Sequence, residues 1–416
     1  MSPRQATVRM YNVGFGDCFL LTIPAPDRPR KVLVDCGSHS HGSGPVPIFG
    51  VAARIVEDVR EEDGTPRIDV VIATHRHQDH VSGFASPLWS QVEVKEVWLP
   101  WTEDPQDPEA RRIREKQSRV AKRLQSVALA LGARDRWRDS ILALAENSLT
   151  NAAAMATLHR GFAGGPRRRF LPQVERQKRT FTVSALPGVR VHALGPSRDP
   201  EVIRDMDPPG DERYLRPAGA AKIGIDSGED LSPFASRWRR SLDDVKSEPS
   251  LAHLVPTDSK ILQKIQDFGQ IFGREAFELV VQLEKAVNGT SLVLVFEIGP
   301  SCLLFPGDAQ WGTWRTVLDD PEWRDLLART TFFKIGHHGS HNATPKSLVA
   351  TLQDGLAAMV STKTLSTWPD IPRLPLLTEV GKKSTRGLIR SDEPPDQLPA
   401  GFRRVDENCV ELTIPV

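Results

Sequence analysis

Val70-Val71-Ile72-Ala73-Thr74-His75-Arg76-His77-Gln78-Asp79-His80 is a β-branched run that breaks directly into three histidines and an aspartate. The apolar run predicts a buried strand. In extended chain residues i and i+2 face one side, so His75 and His77 can converge on one ion. Asp79 and His80, just past the turn, can face a second ion nearby. Imidazole and carboxylate together are the ligands that zinc and similar divalent ions prefer. A lone histidine after a strand is usually structural; three in an H-x-H-x-D-H frame are hard to explain that way.

A second cluster strengthens the reading. His337, His338 and His341 follow the strand-like run Thr331–Ile335, and Asp308 follows the strand Cys302–Phe305 at Gly307. The two carboxylate oxygens of Asp308 can bridge two ions. One or two divalent ions are expected, Zn²⁺ first and Mn²⁺ as the alternative. The expected ligands are His75, His77, Asp79, His80, Asp308 and His337. Adjacent side chains diverge, so one of His337 and His338 is expected as a ligand, His337 being favoured, and the other as a substrate or proton-transfer group. His338 or Asp79 assists proton transfer. Ser340 and His341 either line the site or form a surface turn. Two ions about 3.5–4 Å apart can hold a hydroxide and clamp a phosphoryl or carbonyl oxygen.

Further strands are expected at Thr7–Asn12, Cys18–Ile23, Lys31–Val34, Val92–Leu99, Val189–Leu194, Ser291–Glu297 and Val410–Ile414, with a helix over Phe49–Val59. Between them the composition shifts. Residues 111–179 carry 17 Lys/Arg against five Asp/Glu, an excess of twelve positive charges. Val120, Leu124, Val127, Ala128 and Leu131 keep helical spacing there, and Ile141–Leu158 also reads as helix. Residues 199–250 are rich in Pro, Gly and Asp and read as loop with helical pieces. Residues 259–286 look helical at first, then strand-like at Phe277–Leu283.

The whole chain has 416 residues with 54 Lys/Arg against 53 Asp/Glu, and is 39% hydrophobic. This excludes collagen-like, low-complexity and wholly disordered classes. No apolar stretch approaches the roughly 18 residues of a membrane span. The first residues hold no apolar run of signal-peptide length. Cys18, Cys36, Cys302 and Cys409 are scattered beside apolar runs, which reads as reduced, buried thiols in a cytoplasmic protein.

Several segments together carry a family likeness. They are Asn12-Val13-Gly14-Phe15-Gly16-Asp17-Cys18, Leu33-Val34-Asp35-Cys36-Gly37, the motif at 75–80, Asn288-Gly289-Thr290-Ser291-Leu292-Val293-Leu294, Leu304-Phe305-Pro306-Gly307-Asp308 and Lys334-Ile335-Gly336-His337-His338-Gly339-Ser340. On these the chain resembles the metallo-β-lactamase-fold hydrolase superfamily. It is most similar to the branch containing the C-terminal domain of competence DNA-internalisation proteins and the phosphorylcholine esterases. The resemblance covers residues 8–100, 189–196 and 288–362. It implies an α/β fold, an αββα four-layer sandwich over 1–416 with the site at one sheet edge. Two insertions interrupt it, about 101–188 (basic, helical) and 197–287 (loop-rich, helical). It also implies that Asp35 orients ligand-bearing loops by hydrogen bonding, with Asp17 in a similar role and Asn288 facing the site. An extra metal-binding histidine common in the superfamily has no matching motif; His159, His192 and His253 are the candidates by position. Trp368-Pro369 stands where relatives often have His-Pro.

The relatives' chemistry is phosphodiester hydrolysis, and paired divalent ions suit in-line displacement at phosphorus. The basic stretch attracts polyanions such as nucleic acid. Arg167, Arg168 and Arg169 are either contacts for such a substrate or a charged loop. Trp98, Trp101, Trp137 and Trp238 either stack on bases or sit in the core. Three functions fit: a phosphodiesterase or nuclease, an ester, lactone or thioester hydrolase, and a non-catalytic metal-binding module whose insertions dock a protein partner.

Overall fold

Alternation of apolar side chains along the strands determines how two sheets share one interior. The computed structural model describes residues 5–40, 42–130, 151–173, 179–214, 286–365 and 370–416. The strands are β1 (Gln5–Tyr11), β2 (Cys18–Ile23), β3 (Arg30–Cys36), β4 (Arg67–Ile72), β5 (Glu93–Pro100), β6 (Arg167–Leu171), β7 (Thr180–Phe181) and β8 (Val189–Gly195). They continue with β9 (Val293–Ile298), β10 (Ser301–Phe305), β11 (Phe332–Lys334), β12 (Ala357–Val360), β13 (Leu388–Arg390), β14 (Phe402–Asp406) and β15 (Cys409–Pro415). One sheet runs β14-β15-β1-β2-β3-β4-β5-β6 and the other β13-β12-β11-β10-β9-β8-β7.

Val32, Val34, Val70 and Ile72 of the first sheet pack against Leu294, Phe296, Leu303, Phe305 and Phe332 of the second. Their strand neighbours face outward. Leu33, Val71 and Val97 pack on Val51, Ala52, Ile55 and Val56 of the helix Ile48–Asp58. Val293, Val295 and Leu304 pack on Trp314 and Val317 of the helix Trp311–Asp319, and on Leu376 and Val380 of the helix Leu374–Lys383. The layers therefore run helix, sheet, sheet, helix, each buried large apolar side chain contributing about 1.5–3 kcal/mol. Both sheets are mixed. β3 to β6 are parallel, as are β10 to β13. The motif residues directly follow β4 of the first sheet and the parallel neighbours β10 and β11 of the second.

The basic insertion needs correcting. It holds the helix Pro108–Ala130, but it also supplies β6 and β7, the edge strands of both sheets. Arg167-Arg168-Arg169 is therefore no loop. Arg169 donates to both oxygens of buried Glu96 (2.5 and 2.9 Å), which also accepts from the Trp98 indole at 2.8 Å. Arg168 donates to the carbonyls of Leu158 and Pro166. Trp98 lies in the inter-sheet core, and Trp101 is buried beneath the Arg198 guanidinium, 4.4 Å from its ring. Trp137, Trp238, His253, Phe277–Leu283 and Trp368 lie outside the described residues. All four cysteines are free and buried. Among the described residues, no helix is long and apolar enough to cross a membrane.

Candidate metal centre

Four buried aspartates and a set of histidines meet where the parallel strands end. Past β4 the chain is pinned on both sides. Thr74 donates from its N–H and its hydroxyl to Asp35, each at 2.7 Å. The Thr74 carbonyl accepts from Leu292 N–H at 2.8 Å, tying the motif to the second sheet. A short helix, Gln78–Val81, then carries Asp79 and His80. Gly37 makes this approach feasible: a Cβ there would stand 2.4 Å from the backbone of Asp79 and His80. Asp35, His337 and His338 adopt left-handed φ of 57°, 47° and 53°. Such conformations are rare without glycine and concentrate at functional sites.

The ring nitrogens sort into held and aimed. The His80 Nδ1 lies 2.8 Å from Asp35 Oδ2, so it donates there and its Nε2 faces Asp308 Oδ2 at 3.3 Å. The His338 Nδ1 donates to the Ser361 carbonyl at 2.9 Å, and its Nε2 lies 2.9 Å from Asp79 Oδ2. One ligand atom from each of Asp79, His80, Asp308 and His338 lies within 4.8 Å of the others, all four residues buried. Asp79 Oδ1, His80 Nε2 and Asp308 Oδ2 are buried without a well-aligned hydrogen bond among the described residues. Buried polar atoms require partners. Two imidazoles and two carboxylates are a donor set that fits zinc or manganese. The second nitrogen of each imidazole is already tied down, as bound metal requires.

The charges agree. Burial opposes ionisation of Asp79, yet His80 and His338 hold its pKa well below the ordinary carboxylate value. Asp308 is likewise held well down, against burial, by His80 and His337. Burial disfavours charge on His80, but Asp308, Asp35 and Asp79 outweigh it and push its pKa well up. Burial pushes His75 well down and His77 to about 4. Asp79 and Asp308 thus stay ionised and demand positive charge, whereas burial pushes Asp35 up.

Asp35, expected to orient ligand-bearing loops, accepts from the Thr74 N–H and hydroxyl and from His80 Nδ1. Asp17 approaches the Nδ1 atoms of His80 and His338 at 3.6 and 3.9 Å and forms an ion pair with Lys334. Asn288 Nδ2 reaches His337 Nε2 at 3.4 Å. His75 Nε2 and His77 Nδ1 lie 3.0 Å apart, a pair beside the four-atom group and not within it. The adjacent histidines, of which the sequence favours His337 as ligand, take different places. His338 enters the tight group, while His337 Nε2 stays 3.8 Å from Asp308 Oδ2. Ser340 donates to Asn342 Oδ1 at 2.8 Å, and His341 Nδ1 lies 3.5 Å from the Arg373 guanidinium. Arg167, Arg168 and Arg169 are not brought in; by register Arg167 stands level with Glu96 and Val70, five residues before His75. His192 is occupied by Glu297 (2.6 Å) and Thr180 (2.8 Å), and His159 stacks on Phe170.

Sequence reasoning missed Thr74, Lys334, Asn342 and Ser361. Only Lys334 carried a signal, a charge inside the apolar strand Phe332-Phe333-Lys334-Ile335, where lysine is almost never buried unless paired. Asp35→Asn keeps the shape but removes the charge that orients His80. It is expected to weaken zinc binding about 10–100-fold with the fold intact, read by chelator competition.

The fold and site define an α/β sandwich with a buried Asp/His group able to hold a metal ion. No family model matches the chain, and no curated protein matches it.

Proposed function

We propose that the chain is a metal-dependent hydrolase of the metallo-β-lactamase-fold type, acting on phosphodiester bonds. The observation that carries this is the buried convergence of Asp79, His80, Asp308 and His338 at the strand ends, with hydrogen-bonding capacity left over. The H-x-H-x-D-H spacing and the helix-sheet-sheet-helix order support it. A divalent ion there supplies an electrophile for a phosphoryl oxygen and acidifies water. The protein's part is to hold the ligands: Asp35 on His80, the Ser361 carbonyl on His338, and Ser291 Oγ on the Asp308 N–H at 3.2 Å.

Charge near the site favours a phosphate-rich substrate. In the helix Pro108–Ala130, Arg111, Arg112, Lys116, Arg119 and Lys122 are exposed. At about 100° per residue they share an arc of about 140°, interrupted by Glu115. The other side packs through Ala110 and Ile113 onto Trp101 and Ile203. The helix is rooted near the motif. Arg114 donates to the carbonyls of Thr102 and Asp104, while Glu103 pairs with Arg76, between His75 and His77, at 3.5 Å.

The test is zinc- or manganese-loaded protein offered bis-p-nitrophenyl phosphate, DNA and RNA oligonucleotides, and a simple lactone. Both diester classes are expected to be cleaved. The triple charge reversal R112E/K116E/R119E is expected to weaken oligonucleotide binding more than tenfold and to spare the small diester. Its salt dependence should flatten by about 0.7 per lost contact on single strands. Turnover of the lactone alone would transfer the reading to carbonyl chemistry, and no turnover with metal bound would leave a binding module.

A further inference from the structure

We propose that His337 is the side chain that meets the substrate, and that Asn288, Asn342 and Ser340 hold it for that role. This rests on the hydrolase reading above. The side chains of His80 and His338 are fully buried and those of Asp79 and Asp308 nearly so, whereas that of His337 is 19% exposed. The consecutive left-handed residues send the two rings different ways. His338 turns inward against Phe15, ring centroids 4.2 Å apart, and into the buried group. His337 stays at the rim of that group, its side chain partly exposed and its Nε2 3.8 Å from Asp308 Oδ2.

His337 is nonetheless registered to that group. Its N–H donates to Asp308 Oδ1 at 3.0 Å. Its Nδ1 lies 3.1 Å from Asn342 Oδ1, an atom that can only accept and that also takes the Ser340 hydroxyl. Nδ1 therefore carries the proton, and the neutral ring keeps its lone pair on Nε2. Asn288 Nδ2 faces that lone pair from 3.4 Å, close enough to aim the ring and too far to occupy it firmly. The result is a positioned base beside the metal position, with its side chain partly exposed. As the water oxygen bonds to phosphorus, His337 Nε2 takes the water's proton. The bond from phosphorus to the leaving oxygen breaks, and the proton passes on to that oxygen.

The experiment compares His337→Gln, His337→Ala and His338→Gln, each loaded with zinc. Bound metal, melting temperature and kinetics on bis-p-nitrophenyl phosphate are measured. His337→Gln is expected to keep the wild-type metal content while kcat falls about 100-fold and KM stays within threefold. Added imidazole is expected to restore part of the turnover of His337→Ala. His338→Gln is expected to lose metal. Loss of metal from a folded His337→Gln protein would make His337 a ligand and overturn the inference, as would an undiminished kcat; the hydrolase reading would survive both. A wild-type protein that binds no metal would end the hydrolase reading itself.

Discussion

Asp308→Ala is expected to purify without zinc and without hydrolytic activity while remaining folded. Asp308 Oδ2 is the buried oxygen facing both His80 Nε2 (3.3 Å) and His337 Nε2 (3.8 Å), and Oδ1 holds the His337 N–H. Removing the carboxylate takes away a donor and the anchor of the adjacent histidine pair. Metal affinity should fall by more than the ~10–100-fold typical of outer partners. Asp79→Ala should behave alike, since its free Oδ1 and its contact with His338 serve the same group. Stability separates this from general damage. The folded state holds Asp308 ionised through His80 and His337, against burial, so its charge contributes to stability. Metal-free Asp308→Ala should therefore melt somewhat below the metal-free wild type and still unfold cooperatively. Elemental analysis and calorimetry on chelated and zinc-loaded protein read both quantities. Unchanged zinc content in Asp308→Ala would refute the site.

The second large effect concerns Lys334. Its ammonium is buried against Asp17 and lies 3.9 Å from Asp308 Oδ1. Their side chains are 3% and 2% exposed, so water cannot replace either partner. Lys334→Met leaves Asp17 as an uncompensated buried charge behind His80 and His338. The cost expected for breaking such a pair is about 3–5 kcal/mol. For a chain of this length that is a fall in Tm of roughly 3–6 °C. Asp17→Asn combined with Lys334→Met removes both charges together. The double variant should recover most of the loss, because replacing a whole buried pair is often near neutral. A double-mutant cycle by urea or thermal unfolding measures the coupling. Strict additivity of the two single variants would show that the pair does not interact as described.

Much of the framework was legible because it depends on local pattern. Cys18–Ile23 matches β2 residue for residue, and the expected helix over Phe49–Val59 is shifted by one from Ile48–Asp58. β6 was illegible for a physical reason. Three consecutive arginines carry no apolar alternation, and only pairing with β5 and the buried carboxylate of Glu96 makes a strand of them. His337 and His338 show the same limit at the site, since neighbouring identical residues give no local reason to prefer one.

By itself the sequence determined that His75, His77, Asp79 and His80 stand just beyond a buried strand, and that Asp308 and a histidine pair end two others. Those facts follow from periodicity and spacing along one chain. Only the tertiary structure decided that His338 joins Asp79, His80 and Asp308 while His337 stays at their partly exposed rim, and that Lys334 balances Asp17. Which atoms meet depends on two left-handed residues and on strands far apart in sequence, and no local pattern encodes a distance across a sandwich.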